Sequence, residues 1–327
     1  MAVDDDERSA AQPPRPRILL DCDPGHDDAI AIITAASYSE LVGITTVAGN
    51  APLDRTTRNA LVVRDLLGVT APVHSGAGRP LLGPQGRGAV HAEAVHGASG
   101  LDGADLPDPT TPLDGTDAVG FIIDTVRATD DVWLVPVGPL TNIALALRAA
   151  PDIAERVAGI SLMGGGTFGN RTPTGEFNIW ADPEAAAIVF DYGGPLVMAG
   201  LDVTHRFQAT PDRIAAIASL PGTLAAVLAD LLAFFSRSYL ARHDPGSLLG
   251  AAIHDPLAVL AVTHPHLFER TARHVAIETR GEHTRGMTVI DHRAVTARHA
   301  PNCDVLTSVD DEAAFELVVE AIGRSSH

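Results

Sequence analysis

Apolar runs of strand length alternate with segments of helical period along most of this chain, and this alternation constrains the fold most. The strand-like runs are rich in Val, Ile and Leu, and they lie at 17–22, 41–47, 71–76, 132–137, 159–165 and 195–201. Apolar residues recur every three to four positions in the segments 27–38, 54–68, 117–128, 140–150 and 183–191. Continuous apolar strands separated by helices indicate a mostly parallel sheet that helices cover on both faces.

The second part of the chain is more helical, and it shows no repeat and no Gly/Ser-rich linker that would divide it. Its predicted elements are a long helix at 223–241, strands at 274–279, 286–291 and 302–307, and a final helix at 311–323. We therefore predict one α/β domain over 17–327, with a mostly parallel, Rossmann-like central sheet flanked by helices. The acidic, Pro-rich residues 1–16 are predicted to form a loose N-terminal tail.

The composition limits the partners and the chemistry that the chain can use. It carries 41 acidic and 23 basic residues, for a formal charge of −18, and all of the basic residues are arginines. An excess of negative charge repels nucleic acid backbones and anionic membranes, so neither a nucleic acid polymer nor a membrane is expected as a partner. The lack of lysine excludes Schiff-base catalysis and a phosphate-loop lysine.

Two further features bear on where the protein works. The sequence suggests neither an apolar run of membrane-spanning length nor the apolar stretch of a signal peptide. Cys22 and Cys303 offer no disulfide framework and no spacing typical of a zinc site. We therefore expect a cytoplasmic protein with two packed, reduced thiols.

A dense acidic stretch, DCDPGHDDA at 21–29, directly follows the first predicted strand. Asp21 and Asp23 lie at the strand end, and Asp27 and Asp28 lie in the first turn of the next helix, where the exposed N–H groups and the helix dipole favour negative charge. Helix capping accounts for one or two of these carboxylates. Since no lysine is available to neutralise the others, the alternative interpretation is a hard divalent cation with oxygen ligands, Ca²⁺ or Mg²⁺.

Polar motifs follow several of the predicted strands at the point where each strand ends. After the acidic stretch come GN at 49–50, VGPLTN at 137–142 and GGG at 164–166. Because open α/β sheets bind ligands in the crevice beyond the carboxyl ends of their strands, these motifs are expected to lie together. The Gly- and Pro-rich stretch 76–116 is too long for an ordinary connection, which makes it a candidate functional loop.

The stretch DCDPGHDDAIAI resembles the signature of the inosine-uridine preferring nucleoside hydrolase family. Further motifs that look like those of the family, in the family's order, are TTVAGN (45–50), TRNALVV (57–63), VPVGPLTNIALAL (135–147), LMGGG (162–166), GEFNIWADPEAA (175–186), GLDVTH (200–205), HDPLAV (254–259) and GMTVID (286–291). The resemblance implies calcium-dependent hydrolysis of the N-glycosidic bond of ribonucleosides to ribose and a free purine or pyrimidine base. It also implies a homodimer or homotetramer, and it leaves the base preference open.

The same resemblance implies roles for the residues at matching positions. A Ca²⁺ ion would be bound by the carboxylates of Asp23, Asp28 and Asp255 and by the backbone carbonyl of Val137. Asp23 would also be the general base that deprotonates the attacking water. His254, next to a metal ligand, would face the departing base as its acid.

Further positions would contact the substrate. The resemblance implies that the ribose hydroxyls are held by Asp27, Asn50 and Asn178, and the 5′ end by Asn170 and Glu176, with Met163 alongside the sugar and His96, Tyr239 and His243 as candidate contacts of the base. Without the resemblance, Glu176 and Asn178 also fit a simple helix-capping segment before the N-cap Asp182 and its following proline.

Two other functions remain open from the residues alone. A DxD motif at a strand end also matches phosphatases with an aspartate nucleophile, although these need a downstream lysine or equivalent and a phosphate-binding Ser/Thr loop. A nucleoside or sugar binder without catalysis could use the same scaffold, although the intact candidate residues Asp23, Asn178 and His254 argue against it.

Overall fold

The chain is seen in a computed structural model that describes residues 15–82, 91–242, 246–293 and 299–325, so residues 1–14 of the predicted tail lie outside the described part. The strands are β1 (Arg17–Cys22), β2 (Glu40–Thr46), β3 (Val73–Ser75), β4 (Val132–Pro136), β5 (Gly159–Met163), β6 (Leu196–Ala199), β7 (Gln208–Ala209), β8 (Ala251–Ala252), β9 (Phe268–Arg273), β10 (Val275–Ile277), β11 (Thr288–Ile290) and β12 (Cys303–Val309). The helices are α1 (His26–Tyr38), α2 (Leu53–Leu67), α3 (Glu93–His96), α4 (Ala118–Ala128), α5 (Thr141–Ala149), α6 (Phe177–Ala181), α7 (Pro183–Phe190), α8 (Leu201–Thr204), α9 (Pro211–Ala218), α10 (Thr223–Leu240), α11 (Pro256–Thr263) and α12 (Asp311–Arg324), with 3₁₀ segments at Pro151–Glu155 and Pro265–Leu267.

Eight of the described strands form one central sheet, in the order β3-β2-β1-β4-β5-β6-β12-β9. Neighbouring strands run parallel throughout, except that the edge strand β9 is antiparallel to β12. Helices flank the sheet, which confirms the predicted single α/β domain with a mostly parallel sheet.

The central strands are buried on both faces, which explains their continuous apolar runs. In β1, Ile18 and Leu20 pack into the apolar layer that contains α1 and α11, whereas Leu19 packs into the opposite layer with α4, α5 and α7. Successive side chains of a strand point to opposite faces, so a strand covered on both sides must be apolar at every position.

The order of the strands reverses between β1 and β4. From β1 the chain adds β2 and β3 on one side, and it then crosses to add β4, β5 and β6 on the other. Such a reversal opens a crevice at the carboxyl ends of the two central strands. The connections after β1, β2, β4 and β5 all begin at this end of the sheet, as the strand-end motifs predicted.

The last third of the sequence has two features that the sequence analysis left open or missed. The strands predicted at 274–279 and 286–291 are confirmed, and they pair with each other as the antiparallel hairpin β10–β11, apart from the central sheet. The edge strand β9, with the sequence FERTAR, was not predicted. Its side chains are half-buried or exposed, so it lacks the continuous apolar run that marks the central strands.

By length and composition alone, helix α10 is long and apolar enough to cross a membrane, whereas the sequence analysis expected no run of that length. Half of it is buried inside the protein. Leu224, Leu228, Leu232 and Phe235 belong to the apolar core, which accounts for the composition of the helix.

Candidate active site

The β1–α1 connection lies at the crevice and carries the acidic stretch. Its chain turns at Pro24 and Gly25, and the Asp28 carboxylate holds the turn. Oδ1 of Asp28 accepts the backbone N–H of Asp23 at 3.0 Å, and Oδ2 accepts the N–H of Gly25 at 2.8 Å. The capping interpretation is therefore correct for Asp28, but this side chain is also fully buried beside Asp255.

Asp23 is held between two of the strand-end motifs. Its Oδ2 accepts the backbone N–H of Asn50 at 2.6 Å. A Cβ atom on Gly49 or on Gly138 would collide with its carboxylate oxygens. The glycines of the GN and VGP motifs therefore provide the space in which this carboxylate lies.

Three buried carboxylates meet at the floor of the crevice. Asp27, Asp28 and Asp255 place oxygen atoms within 4.8 Å of one another. Burial, followed by the charge of Asp28, raises the pKa of Asp27 to about 8. Burial likewise raises the pKa of Asp28, and it raises the pKa values of Asp23 and Asp255 well above the ordinary range, with further contributions from the neighbouring aspartates.

This group of side chains fits a hard divalent cation. Within the described residues, no arginine–carboxylate ion pair involves any of the four buried aspartates, which are Asp23, Asp27, Asp28 and Asp255. Their raised pKa values mean that they bind either protons or a cation, and all of the donor atoms are oxygens. The carbonyl-bearing Val137 lines the same cavity. Asp27, predicted as a ribose contact, forms the cluster of three with the predicted ligands Asp28 and Asp255, whereas the predicted ligand Asp23 lies outside that cluster.

Asp21 does not belong to this cluster, although the sequence reading counted it among the carboxylates in need of a cation. Its Oδ1 accepts the hydroxyl of Thr45 at 2.6 Å and the side-chain amide of Asn142 at 2.7 Å. Burial raises its pKa to about 7. It thus fastens β1 to β2 and to the start of α5 instead of facing the crevice.

A cavity of about 400 Å³ opens at the acidic cluster, which is a size typical of sites for small molecules. The predicted site residues that line it are Asp27, Asn50, His96, Val137, Met163, Asn170, Glu176, Asn178, Tyr239, His254 and Asp255. Asp23 and Asp28 do not line the cavity, but the carboxylates of both accept hydrogen bonds from Asn50, which does line it. The long loop 76–116 supplies part of the lining through its short helix α3.

One part of the lining is built around the start of α6. Glu176 caps this helix by accepting the N–H groups of Asn178 at 2.9 Å and Ile179 at 3.1 Å, and it also accepts the N–H of Gly165 at 3.0 Å. Burial raises the pKa of Glu176, while these hydrogen bonds lower it. The capping interpretation of Glu176 is confirmed, and the same residue borders the cavity. Oδ1 of Asn170 accepts the N–H that follows Glu176 in the chain.

Asn178 is oriented by its amide nitrogen. This group donates to the carbonyl of Val137 at 2.8 Å and to the carbonyl of Met163 at 3.2 Å. The bonds link the ends of β4 and β5 to α6. They commit the amide nitrogen to the protein, so the amide oxygen is the group that Asn178 can offer a ligand.

Another part of the lining contains ionisable aromatic side chains. His254 lies just before α11, as predicted, with Nδ1 2.8 Å from the Thr204 hydroxyl and Nε2 3.4 Å from the Tyr239 hydroxyl. The Tyr239 hydroxyl also lies 3.4 Å from Nδ1 of His205. Imidazole and phenol groups in such a network can give protons to a bound ligand or take them from it.

Several functional positions were missed by the sequence reading. Phe235 and Arg242 line the cavity with Tyr239. The available signal was the spacing of four residues that places Phe235 and Tyr239 on one side of α10, with Arg242 two residues beyond the end of that helix. His26 lies inside the acidic motif, and its Nδ1 is 3.0 Å from Nδ1 of His96. His243 lies outside the described residues.

The chain matches known proteins over almost its whole length. The model of the family described as inosine-uridine preferring nucleoside hydrolase matches residues 18–316. The pyrimidine-specific ribonucleoside hydrolase RihA of Enterobacter sp. (strain 638) is 41% identical over 314 residues, which cover 94% of this chain and 98% of the relative. The enzyme of the same name from Shewanella woodyi is 44% identical over 311 residues, which cover 93% and 97%.

A solved structure agrees with these matches. The purine-preferring ribonucleoside hydrolase from Gardnerella vaginalis superimposes with a TM-score of 0.87 at 32% identity, over 95% of this chain and 99% of that chain. The matched relatives are enzymes, which sets aside both the phosphatase and the non-catalytic binder. The chain therefore belongs to the inosine-uridine preferring nucleoside hydrolase family.

Proposed function

We propose that the protein hydrolyses the N-glycosidic bond of pyrimidine ribonucleosides, with Ca²⁺ as cofactor, and releases ribose and the free base. The observation that carries the proposal is the buried group of Asp27, Asp28 and Asp255 at a cavity of about 400 Å³. Carboxylates in this position offer ligands to a cation and acceptors to sugar hydroxyls, and the volume suits a single nucleoside.

The pyrimidine preference is supported by the sequence relatives. The two RihA proteins, at 41% and 44% identity, are named as pyrimidine-specific. The Gardnerella vaginalis enzyme, which is named as purine-preferring, is more distant at 32%. The specificity of the nearer relatives is therefore the better guide to the base that this chain accepts.

The residues proposed to hold the cation are Asp23, Asp28, Asp255 and the carbonyl of Val137. When bound, a divalent ion lowers the pKa of a water molecule and so supplies a nucleophile near neutral pH. Asp23 accepts the N–H of Asn50 through Oδ2. Its other carboxylate oxygen can then receive the proton of the attacking water, which is the general-base role.

The sugar is proposed to lie between the acidic cluster and α6. Asp27, Asn50 and Asn178 would accept or donate hydrogen bonds to the ribose hydroxyls, and Glu176 with Asn170 would hold the 5′ end. Cleavage of a glycosidic bond develops positive charge on the sugar in an oxocarbenium-like transition state. The surrounding carboxylate and amide oxygens are fixed in advance by their own hydrogen bonds, so they stabilise that charge as it forms.

The departing base is proposed to face His254, with Tyr239 and His96 nearby. The base leaves with negative charge, and a proton from the His254 imidazole neutralises it. The contacts of Nδ1 with the Thr204 hydroxyl at 2.8 Å and of Nε2 with the Tyr239 hydroxyl at 3.4 Å hold the imidazole ring in one orientation.

The cytoplasmic location and the homodimer or homotetramer expected from the sequence and from the family resemblance stay predictions. A size measurement in solution tests the second of these directly.

The proposal is tested by the release of reducing sugar from uridine, cytidine, inosine and adenosine, measured after calcium removal and again after calcium is restored. Uridine and cytidine should exceed the purine nucleosides in kcat/KM by about tenfold or more, the size of difference that a shaped pocket provides. Calcium removal should abolish most of the activity, and its return should restore it. Equal rates on inosine would contradict the pyrimidine preference, and full activity without calcium would contradict the metal role.

A further inference from the structure

A single hydroxyl on the β10–β11 hairpin holds the glycine loop that follows β5. Thr288 lies on β11 and is buried, with 2% of its surface exposed. Its Oγ1 accepts the backbone N–H of Gly166 at 2.9 Å and donates to the backbone carbonyl of the same residue, also at 2.9 Å. Both backbone groups of one loop residue are therefore fixed by one side chain that lies 122 positions away in the sequence.

The glycine loop is shaped to fit against this threonine. Gly165 has a φ of 73°, in the left-handed region that favours glycine, and Gly166 has a φ of 148°. A Cβ atom on Gly165 would lie 2.7 Å from Cγ2 of Thr288. The close approach of loop and hairpin thus depends on glycine at this position and on the small side chain of Thr288.

The loop reaches the cavity through one hydrogen bond. The N–H of Gly165, adjacent to the residue that Thr288 holds, donates to Oε2 of Glu176 at 3.0 Å. Two further donors to this carboxylate, the N–H groups of Asn178 and Ile179, belong to α6. The direction of the Glu176 carboxylate is therefore set by α6 on one side and by the glycine loop on the other.

The geometry points to Thr288 as a positioning residue for recognition of the ribose 5′-hydroxyl, acting through Gly166, Gly165 and Glu176. This inference rests on the proposed function, in which Glu176 receives the 5′ end of the sugar. Thr288 does not line the cavity, so it is not expected to contact the substrate directly. Its effect on the reaction is therefore expected only for substrates that carry the 5′-hydroxyl.

The hairpin has other attachments that do not depend on this hydroxyl. Met287 forms a β-bridge with Gly175, and Arg285 forms an ion pair with Glu184 at 2.6 Å. The variant Thr288→Val keeps the shape of the side chain and removes only its hydrogen bonds. We expect this variant to fold with its hairpin in place and with the glycine loop less firmly held.

The test compares kcat/KM for uridine and 5′-deoxyuridine in the calcium-loaded wild-type protein and its variants. Thr288→Val should reduce the value for uridine by about tenfold or more, a typical effect of misplacing a positioning group, and should change the value for 5′-deoxyuridine much less. Thr288→Ser keeps the hydroxyl and should retain the wild-type ratio of the two substrates. Val289→Ala, on the exposed side of the same strand, is the matched control and should also retain it.

Two outcomes would overturn the inference. One is an equal loss of kcat/KM on both substrates in Thr288→Val, which would make Thr288 a merely structural residue. The other is a kcat/KM for uridine in Thr288→Val that equals the wild-type value. If Thr288→Val does not fold, Thr288→Ala serves in the same comparison.

The variant Glu176→Gln separates this inference from the proposed function. If Glu176→Gln loses the preference for the 5′-hydroxyl and Thr288→Val keeps it, the positioning role fails and the sugar assignment stands. If Glu176→Gln keeps the preference as well, the assignment of Glu176 to the 5′ end is wrong, and the inference falls with it.

Discussion

The calcium-free protein is expected to lose stability against unfolding as the pH rises through the neutral range. In the calcium-free site, burial and the charge of Asp28 raise the pKa of Asp27 from its ordinary value of 3.8 to about 8. The unfolded chain ionises this group near 3.8, so between these pH values the folded state holds a proton that the unfolded state has lost. By linkage, the free energy of unfolding then decreases as the pH increases.

The size of the effect follows from the pKa of Asp27. One such group changes the free energy of unfolding by about 1.4 kcal/mol per pH unit, which amounts to about 3 kcal/mol between pH 5 and pH 7. Burial also raises the pKa values of Asp23, Asp28 and Asp255, which adds to the loss in the same direction. With calcium bound, the carboxylates are ionised in both states, and this part of the slope disappears.

The measurement is urea denaturation at a series of pH values. One sample is stripped of calcium by a chelator and gel filtration, and the other is saturated with calcium. Groups elsewhere titrate alike in both samples, so the difference between the two slopes isolates the acidic cluster. Asp27→Asn should flatten the slope of the stripped protein by about 1.4 kcal/mol per pH unit, whereas Asp212→Asn at the exposed start of α9 should leave it unchanged. Equal slopes with and without calcium would refute the reasoning, as would a stripped protein that gains stability as the pH rises.

Two further predictions concern the reacting groups. Gly138→Ala should displace the Asp23 carboxylate and remove most turnover in a folded protein, while Gly78→Ala, whose new methyl group would meet its nearest neighbour at 3.7 Å, should keep its activity in the same assay. His254→Ala should lower kcat/KM for uridine by about a hundredfold, as expected for the loss of a general acid, and should lower it least for 4-nitrophenyl riboside, whose leaving group needs no proton. An equal loss on both substrates would argue against the acid role.

Much of the fold could be predicted because the central strands are buried on both faces. Continuous apolar runs such as those of β1 and β5 stand out in the sequence, and the alternation with helices fixes a parallel sheet. The edge strand β9 could not be predicted in this way, since it packs against one neighbour and keeps charged side chains in water. The hairpin β10–β11 was recognised as strand-like, but its separation from the sheet depends on tertiary packing.

The candidate site was only partly readable from the residues. Asp23 and Asn50 each follow the end of a predicted strand, which is why the sequence predicted that they lie close together. In the structure a hydrogen bond of 2.6 Å joins them. The pattern alone gave no reason to pair Asp255 with them, and the family resemblance supplied that assignment. Thr288 lies in the motif GMTVID, but nothing in the sequence indicated its role, because its partner is a glycine backbone brought to it by the fold.

The central claim is that the buried aspartates bind calcium and that this binding enables cleavage of a nucleoside. The most direct test titrates calcium into the stripped protein by calorimetry and measures uridine hydrolysis at the same calcium concentrations. The account predicts one calcium ion per chain, weakened binding in Asp255→Asn, and activity that rises with the same saturation curve as binding. Full uridine turnover in protein that binds no calcium would contradict it.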